Sequence, residues 1–360
     1  MAHVHVIDLH NNMITVIPKE ISELSWVQYL RLSHNLLTVL PGEMGGMLRL
    51  SYLNLAGNRV STLPYEMSSL VDLEILDVRR NEFKKLPDCL VFFTKLKKLS
   101  AQSNQLVTIS SVLGECKLLE ELWIQSNKLT SLHPLIGELG CLRILNMGDN
   151  EIPSVPPHVG NCVALRQLGI YGNGVARLPP SIKKLKHLTR LMINDNDLID
   201  VPDTLMFLRV LRELHLSANR FKALGEALFR VETLTSLHVR DNQIEVIPDE
   251  IECLSNLTEL RFDENAIEVV SPQIGRLTCL RLLVLSKNRI SEIPKEIGNL
   301  TGITKLSLDN NRLEALPKGL WKMSSLQRVW LDGNNLKELP EDFGELPSLI
   351  ELHLDRYPKP

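Results

Sequence analysis

The sequence predicts an α/β solenoid: a stack of short parallel strands, each returning to the next through a brief helical segment. Three observations predict it. Asparagines recur at Asn12, Asn35, Asn58, Asn81, Asn104, Asn127, Asn150, Asn173, Asn196, Asn219, Asn242, Asn265, Asn288, Asn311 and Asn334, always 23 residues apart. Apolar residues hold fixed places around each of them. Proline recurs at one place in the second half of the unit, in eleven of the fifteen repeats. A constant period of about 20–50 residues marks a stacked array. Such arrays extend one core along the chain, so the 360 residues are read as one domain of about fifteen repeats plus a final strand, and not as the two ordinary domains that length alone would suggest.

The first half of the unit is a strand and a turn. In ITKLSLDNNRLEALP, residues 303–317, Ile303, Leu306 and Leu308 precede the asparagine, and Leu313 and Leu316 follow it. This is the LxxLxLxxNxL pattern, so the solenoid is expected to be a leucine-rich-repeat horseshoe. A parallel β-sheet would line its concave face, with short helical or 3₁₀ segments on the convex face. Strand side chains alternate, placing Leu30 and Leu32 in the core and Arg31 and Ser33 outward. The asparagine amide carries both donors and acceptors, enough to satisfy the turn and the neighbouring repeat. All fifteen asparagines are therefore read as scaffold.

The second half is the return, as in IPKEIGNL (293–300) and LPEDFGEL (339–346). Proline suits the first position of a helical turn, where its fixed φ fits and its missing N–H is not needed. Ser110, His133, Gly225 and Ser271 take its place in the other four repeats. Ile297 and Leu300, three apart, then point inward from one helical face. At the ends, Val4, Ile7 and Leu9 fill the core slots of the first strand, and Leu349, Leu352 and Leu354 those of the last. Tyr357 stands where the next asparagine would fall. Neither end carries an obvious polar cap, which leaves two readings: ends that cap themselves poorly, or a longer protein or partner covering them.

Composition narrows the function classes. Hydrophobic residues make up 44% and aromatics only 5%, so aliphatics build the core. A net charge of −3 lacks the basic excess that binding a phosphate backbone requires, so no nucleic-acid partner is expected. Cys89, Cys116, Cys141, Cys162, Cys253 and Cys279 are scattered without a CxxC pair, as free thiols of a reducing compartment would be. Cys116 and Cys162 take the inward slot that Leu24, Leu139 and Leu185 fill elsewhere, and so read as core. The opening residues do not form a secretory leader, and no run of about 18 apolar residues occurs; a cytoplasmic location is expected. Without a leader, the triplets at Asn256 and Asn299 carry no weight as glycosylation acceptors.

The 23-residue unit with LPxxIGxL returns resembles the intracellular, Ras-suppressor class of leucine-rich repeats over essentially the whole chain. That class includes the scaffold of the Ras–Raf phosphatase complex, the Scribble and Erbin polarity proteins, and plant intracellular relatives. The resemblance implies a scaffold that binds Ras-type small GTPases, phosphatase subunits or polarity proteins. This sequence has neither the long N-terminal extension of the Ras scaffold nor a PDZ domain, which bears on the choice of partner and not on the mode of binding.

No GxxxxGK[ST] loop or HExxH motif is present, and the repeat accounts for the glycines of LGIYGNG (168–174). The chain is accordingly read as no enzyme, with no cofactor and no metal. His215 and His238 hold the same outward position in consecutive repeats. Asp263 or Glu213 lies nearby, but no third metal ligand is clearly placed.

Function is therefore expected on the outward strand positions. Trp123, Tyr171 and Met192 gather in the middle of the array, with Gly148 and Gly169 between them, and are expected to outline a shallow apolar pocket. Further along, Arg240, Arg261, Lys305 and Arg328 oppose Asp263, Asp309, Asp332 and Asp355, a mixed pattern that fixes a partner's register. His215 and His238 open this stretch, and Trp330 offers an anchor near its end. The reading that results is a non-catalytic protein-protein interaction scaffold or adaptor in intracellular signalling. The alternative is the ligand-sensing array of an innate-immune or receptor-type protein. End-to-end self-association is a further expectation.

Overall fold

The computed structural model describes residues 4–109, 111–339 and 346–354. The chain forms two compact units, Met1–Leu188 and Thr189–Pro360. In the first, eight three-residue strands pair in parallel in chain order: β1 (Val6–Asp8), β2 (Tyr29–Arg31), β3 (Tyr52–Asn54), β4 (Ile75–Asp77), β5 (Lys98–Ser100), β6 (Glu121–Trp123), β7 (Ile144–Asn146) and β8 (Gln167–Gly169). In the second, β9 (Arg190–Met192), β10 (Glu213–His215), β11 (Ser236–His238), β13 (Glu259–Arg261), β15 (Leu282–Val284), β16 (Lys305–Ser307), β17 (Arg328–Trp330) and β18 (Glu351–His353) do the same. Between them, β12 (Val246–Ile247) and β14 (Val269–Val270) pair separately on the return path.

Every pairing joins residues one repeat apart, as in Leu30 with Leu53, so the sequence period sets the register. Each unit is the leucine-rich-repeat solenoid expected, with a parallel sheet on one side and short returns on the other. Leu30, Leu32, Leu53 and Leu55 are fully buried while Arg31 is exposed, the alternation a half-buried strand requires. Ser33, expected outward, is nearly covered at 9% exposure.

The asparagines form the ladder anticipated. The Asn58 carboxamide accepts from Leu37 N–H (3.0 Å) and donates to the carbonyls of Leu32 and Leu55 (both 2.9 Å), tying two repeats together. The residue before each asparagine is left-handed, from Asn11 (φ 55°) to Asn310 (φ 56°), with glycine only at 57, 172 and 333. Non-glycine residues visit that region at a cost, and here the side-chain hydrogen bonds hold them in it.

Among the described residues thirteen returns are five-residue 3₁₀ segments, and one, Glu226–Phe229, is α-helical. The recurrent proline sits one position earlier than the sequence suggested. Pro294 (φ −62°, ψ 142°) is the extended N-cap, and its carbonyl receives the N–H of Ile297 at 3.0 Å. Where proline is missing the side chain does the capping: His133 Nδ1 accepts from Leu135 N–H at 3.2 Å, and Ser271 Oγ from Gln273 N–H at 3.0 Å. Gly225, with no side chain to offer, precedes the α-helical turn. Ser110, residues 340–345, Asp355 and Tyr357 lie outside the described residues.

Cys116 and Cys162 are buried as core, and burial pushes each thiol up to about 12; Cys89, also buried, is pushed up to about 11. Cys141, Cys253 and Cys279 are exposed, and all six are free. In the first strand, Val4 is 48% exposed, so it does not fill the core slot that the pattern gives it. Among the described residues no helix is long and apolar enough to cross a membrane.

Candidate protein-binding face

On the first unit's sheet the outward residues are mostly uncharged. Tyr29 and Tyr52 lie with ring centroids 5.9 Å apart, and the Arg31 guanidinium sits 5.8 Å from the Tyr52 ring. A groove lined by Tyr52, Asn54, Gln102, Trp123 and Gln125, with the charged groups of Asp77, Arg79 and Lys98 among them, crosses β3 to β6. Trp123 closes one end, its indole N–H donating to Glu121 at 3.0 Å. Asp77 lies buried in the floor, and burial raises its carboxyl above the usual range despite Arg79 at 3.4 Å. The side-chain carbonyls of Gln102 and Gln125 are shut from solvent with no hydrogen-bond partner.

Trp123 thus shares its groove with Tyr52, which the sequence did not single out, and not with Tyr171. The shallow pocket expected over Gly148 is filled from within. The Tyr171 ring lies directly on that glycine, where any Cβ would collide with it, and its hydroxyl accepts from Asn146 at 3.3 Å. Met192 belongs to the second unit.

In the second unit one outward row runs in register through Met192, His215, His238, Arg261, Val284, Ser307, Trp330 and His353. Its first half is a largely paired charge network, in which His215 Nε2 and Asp263 Oδ1 are buried with no hydrogen-bond partner among the described residues. Glu213 grips Arg190 through two bonds of 2.5 and 2.8 Å, which hold its carboxyl below the usual range. The imidazoles of His215 and His238 lie 4.4 Å apart, and burial lowers both below the ordinary histidine value. Glu259 accepts from Arg261 at 2.6 Å and lies 3.1 Å from His238. Arg240 bridges Asp263 (3.1 Å) and Glu264 (3.0 Å), and Lys287 adds to Glu264 at 2.5 Å. Among the described residues no three His, Cys, Asp or Glu side chains converge closely enough to hold a metal.

The second half of the row is different. Arg261, Leu282, Val284, Lys305, Ser307, Asp309, Trp330 and Asp332 enclose a groove. Its floor is aliphatic, from Leu282 and Val284, and Trp330 walls one side, stacked on His353 at 6.0 Å. Five of the residues singled out from sequence therefore meet in one place: Arg261, Lys305, Asp309, Trp330 and Asp332. Leu282, Val284 and Ser307 were missed. The signal was the unbroken apolar run 282–285, which violates alternation by placing two aliphatics outward.

Matches to known proteins agree with this architecture. The family described as "Leucine-rich repeat region" matches residues 42–148 and 268–359, and that described as "Leucine rich repeat" matches 2–60 and 232–290. No curated protein matches the chain. Among solved structures, a leucine-rich-repeat protein of Leptospira interrogans is 33% identical, with 99% of this chain and 92% of that one aligned and a TM-score of 0.94. The plant peptide hormone receptor RGFR1, in complex with RGF2, is 27% identical (TM-score 0.82), and the match covers 96% of this chain but 57% of the receptor. InlJ of Listeria monocytogenes, 22% identical with 90% of this chain and 67% of that one aligned (TM-score 0.77), shares the fold. With more than half of its length matched by one family and a 33%-identical relative aligned along nearly all of it, this chain belongs to the leucine-rich-repeat family.

Proposed function

We propose that this chain is a non-catalytic scaffold or adaptor that holds a protein partner on the open face of its sheet. Leucine-rich-repeat proteins are generally interaction modules. The observation that carries the reading here is the groove of the second unit, where aliphatic and indole surface stands open beside charged groups. Exposed aromatic and aliphatic surface ringed by polar groups is the composition of a binding hot spot. The residues assigned to contact are Trp123 and Tyr171 on the first unit, and on the second Met192, His215, His238 and Arg240 for the network and Arg261, Asp309, Trp330 and Asp332 for the groove.

The resemblance to Ras-suppressor-type repeats makes a Ras-type small GTPase, a phosphatase subunit or a polarity protein the partner of choice, in the cytoplasm and in signalling. The unbroken 23-residue period across residues 173 to 196 supports treating all fifteen repeats as one domain. A second reading, a ligand-sensing array, draws on the 27% identity to a plant peptide hormone receptor.

The test is direct binding of purified candidates, a Ras-type GTPase in both nucleotide states and a phosphatase catalytic subunit, alongside capture from cytosol. Wild type is compared with Trp123→Ala/Tyr171→Ala and with Trp330→Ala, each melting at the wild-type temperature. Saturable binding weakened about tenfold or more by either variant supports the scaffold. Partners retained equally by all three proteins would exclude the sheet face. Capture of a secreted peptide in place of an intracellular protein would favour the sensor.

A further inference from the structure

The groove of the second unit carries three rows at the two-residue spacing of the strand. Lys305 stands at the start of β16, Ser307 in its middle and Asp309 just beyond its end, with Asp332 beside Asp309 on the neighbouring strand. The middle row is apolar on both sides of Ser307, with Val284 on one neighbour and Trp330 on the other. Ser307 is the small residue between two large ones and leaves a notch. Its hydroxyl is turned aside, bonded to Asp309 at 2.5 Å.

The charges at the two ends are open. Elsewhere on this face the ions satisfy one another: Arg190 with Glu213, Arg240 with Asp263, Arg328 with Glu351. Among the described residues Lys305 and Asp332 make no ion pair or side-chain hydrogen bond, and Asp309 accepts only from Ser307 and Asn310. A cation at one end, two anions at the other and an apolar notch between them define their own complement.

We propose that this groove binds an extended peptide segment of a partner protein, carrying one acidic, one large apolar and one basic residue at alternate positions. This rests on the sheet-face reading above and specifies its occupant. The cation and anion rows are four strand residues apart, about 13 Å. An extended peptide has the same rise, so its residues i, i+2 and i+4 face the sheet together. The carboxylate meets Lys305, the apolar side chain enters the notch over Ser307 against Val284 and Trp330, and the cation meets Asp309 and Asp332. A segment running parallel to β16 reads acid-x-apolar-x-base, and an antiparallel one reads the reverse. A helix would bring i, i+4 and i+8 to nearly the same rows, about 6 and 12 Å along its face, so the test peptides are kept to nine residues, too short to hold a helix in water.

The experiment uses the full chain and fluorescein-labelled nine-residue peptides on a Ser/Thr background, read by fluorescence anisotropy. The set comprises Glu-x-Leu-x-Lys and Lys-x-Leu-x-Glu, each with a central Ala counterpart, and the two like-charged peptides Glu-x-Leu-x-Glu and Lys-x-Leu-x-Lys. At least one mixed peptide is expected to bind tenfold or more tightly than its Ala and like-charged controls. Ser307→Trp fills the notch with a residue that the equivalent positions 123 and 330 already carry, and is expected to abolish binding; because Ser307 is only 8% exposed, it is scored with its fold checked by circular dichroism, and Trp330→Ala, at a half-buried position, is expected to weaken binding about tenfold as an independent check. Lys305→Glu, at an exposed position, is expected to transfer preference to the all-basic peptide. Absence of saturable binding, indifference to Ser307→Trp, or an unchanged preference in Lys305→Glu each overturns the proposal. If the peptides fail while Trp123→Ala/Tyr171→Ala still releases a protein partner, the occupant is wrong and the sheet-face reading stands.

Discussion

The two units share a scaffold and differ in what they show to water. Both are strung on the same ladder, asparagine for asparagine, and both alternate leucine inward with a variable residue outward. On the first, most outward residues are uncharged, and Asn54 donates to the Tyr52 hydroxyl at 3.2 Å and Asn146 to that of Tyr171 at 3.3 Å, with the pairs Arg31–Asp8, Arg79–Asp77 and Lys98–Glu121 among them. On the second, ions and imidazoles dominate the first half, most of the ions paired across strands, and the apolar groove the rest. The core therefore constrains nothing about the face, and two recognition chemistries can be written on one frame. Hydrogen bonds between neutral groups give a surface indifferent to pH and salt, whereas ion pairs and imidazoles give one that responds to both.

If the frame is common, damage to it should cost the same in either unit, and this is the largest effect expected. Asn173 accepts from Ile152 N–H (2.9 Å) and donates to Met147, Ile170 and Tyr171 carbonyls. Asn288 accepts from Ile267 N–H (3.0 Å) and donates to Phe262, Leu285 and Ser286 carbonyls. Replacing either by Ala strands a backbone N–H and several carbonyls, at about 1–3 kcal/mol. Urea unfolding of Asn173→Ala and Asn288→Ala is the measurement. A wild-type curve for either would mean that the turn holds itself.

The next effect should separate the units. Burial lowers His215 first through desolvation and then through His238; it lowers His238 against the opposing pull of Glu259. Glu213, Arg190, Arg261 and Asp263 complete the charged surroundings of the pair. With folded values below the ordinary histidine value of about 6.5, the unfolded chain takes up protons first as pH falls. The stability held in the neutral pair is present above that value and is lost as pH drops from it through the lowered folded values. Amide-exchange protection factors, which correct for the intrinsic slowing of exchange at lower pH, should therefore fall between pH 7.5 and 5.5 more in β10 and β11 than in β3 to β6. The double variant His215→Asn/His238→Asn should flatten the difference. An equal fall in both sets of strands would show that the imidazoles do not set it.

How much of this was legible follows from where each signal resides. The ladder, the alternation and the register follow from a strict period, because one residue type at one spacing admits one stacking. The N-cap role of proline was missed by one position, since a fixed φ near −65° suits an extended N-cap as well as a first helical residue, and only ψ distinguishes them. The candidate face was legible as a set of outward positions, but grouping within it was not. Trp123 and Tyr171 looked like partners because glycines lay between them; the Tyr171 ring consumes that space itself. Leu282 and Val284 were not singled out, although two aliphatics on a wet face already broke the pattern. Pairing of charges is the least legible of all, because it depends on rotamers: Arg240 finds Asp263 and Glu264, while Lys305 finds no ion among the described residues.

The smallest effect tests whether the paired half of the second face contributes stability or only removes charges from recognition. Arg190 and Glu213 make the best-formed ion pair there, two bonds between residues in register on β9 and β10. Yet their side chains remain 43% and 34% exposed, so water screens the attraction and both chains give up rotamer freedom to meet. A double-mutant cycle through Arg190→Ala, Glu213→Ala and the double variant should return a coupling below about 1 kcal/mol, shrinking further in 0.5 M salt. Truncating Arg190 alone should also release Glu213, whose carboxyl then carries a free negative charge beside His215. If pairing is what silences this stretch, the Arg190→Ala variant should gain affinity for cationic peptides while losing almost no stability. A coupling of several kcal/mol would instead make the network part of the scaffold, and the contrast between a satisfied and an open half of the face would then be one of folding and not of recognition.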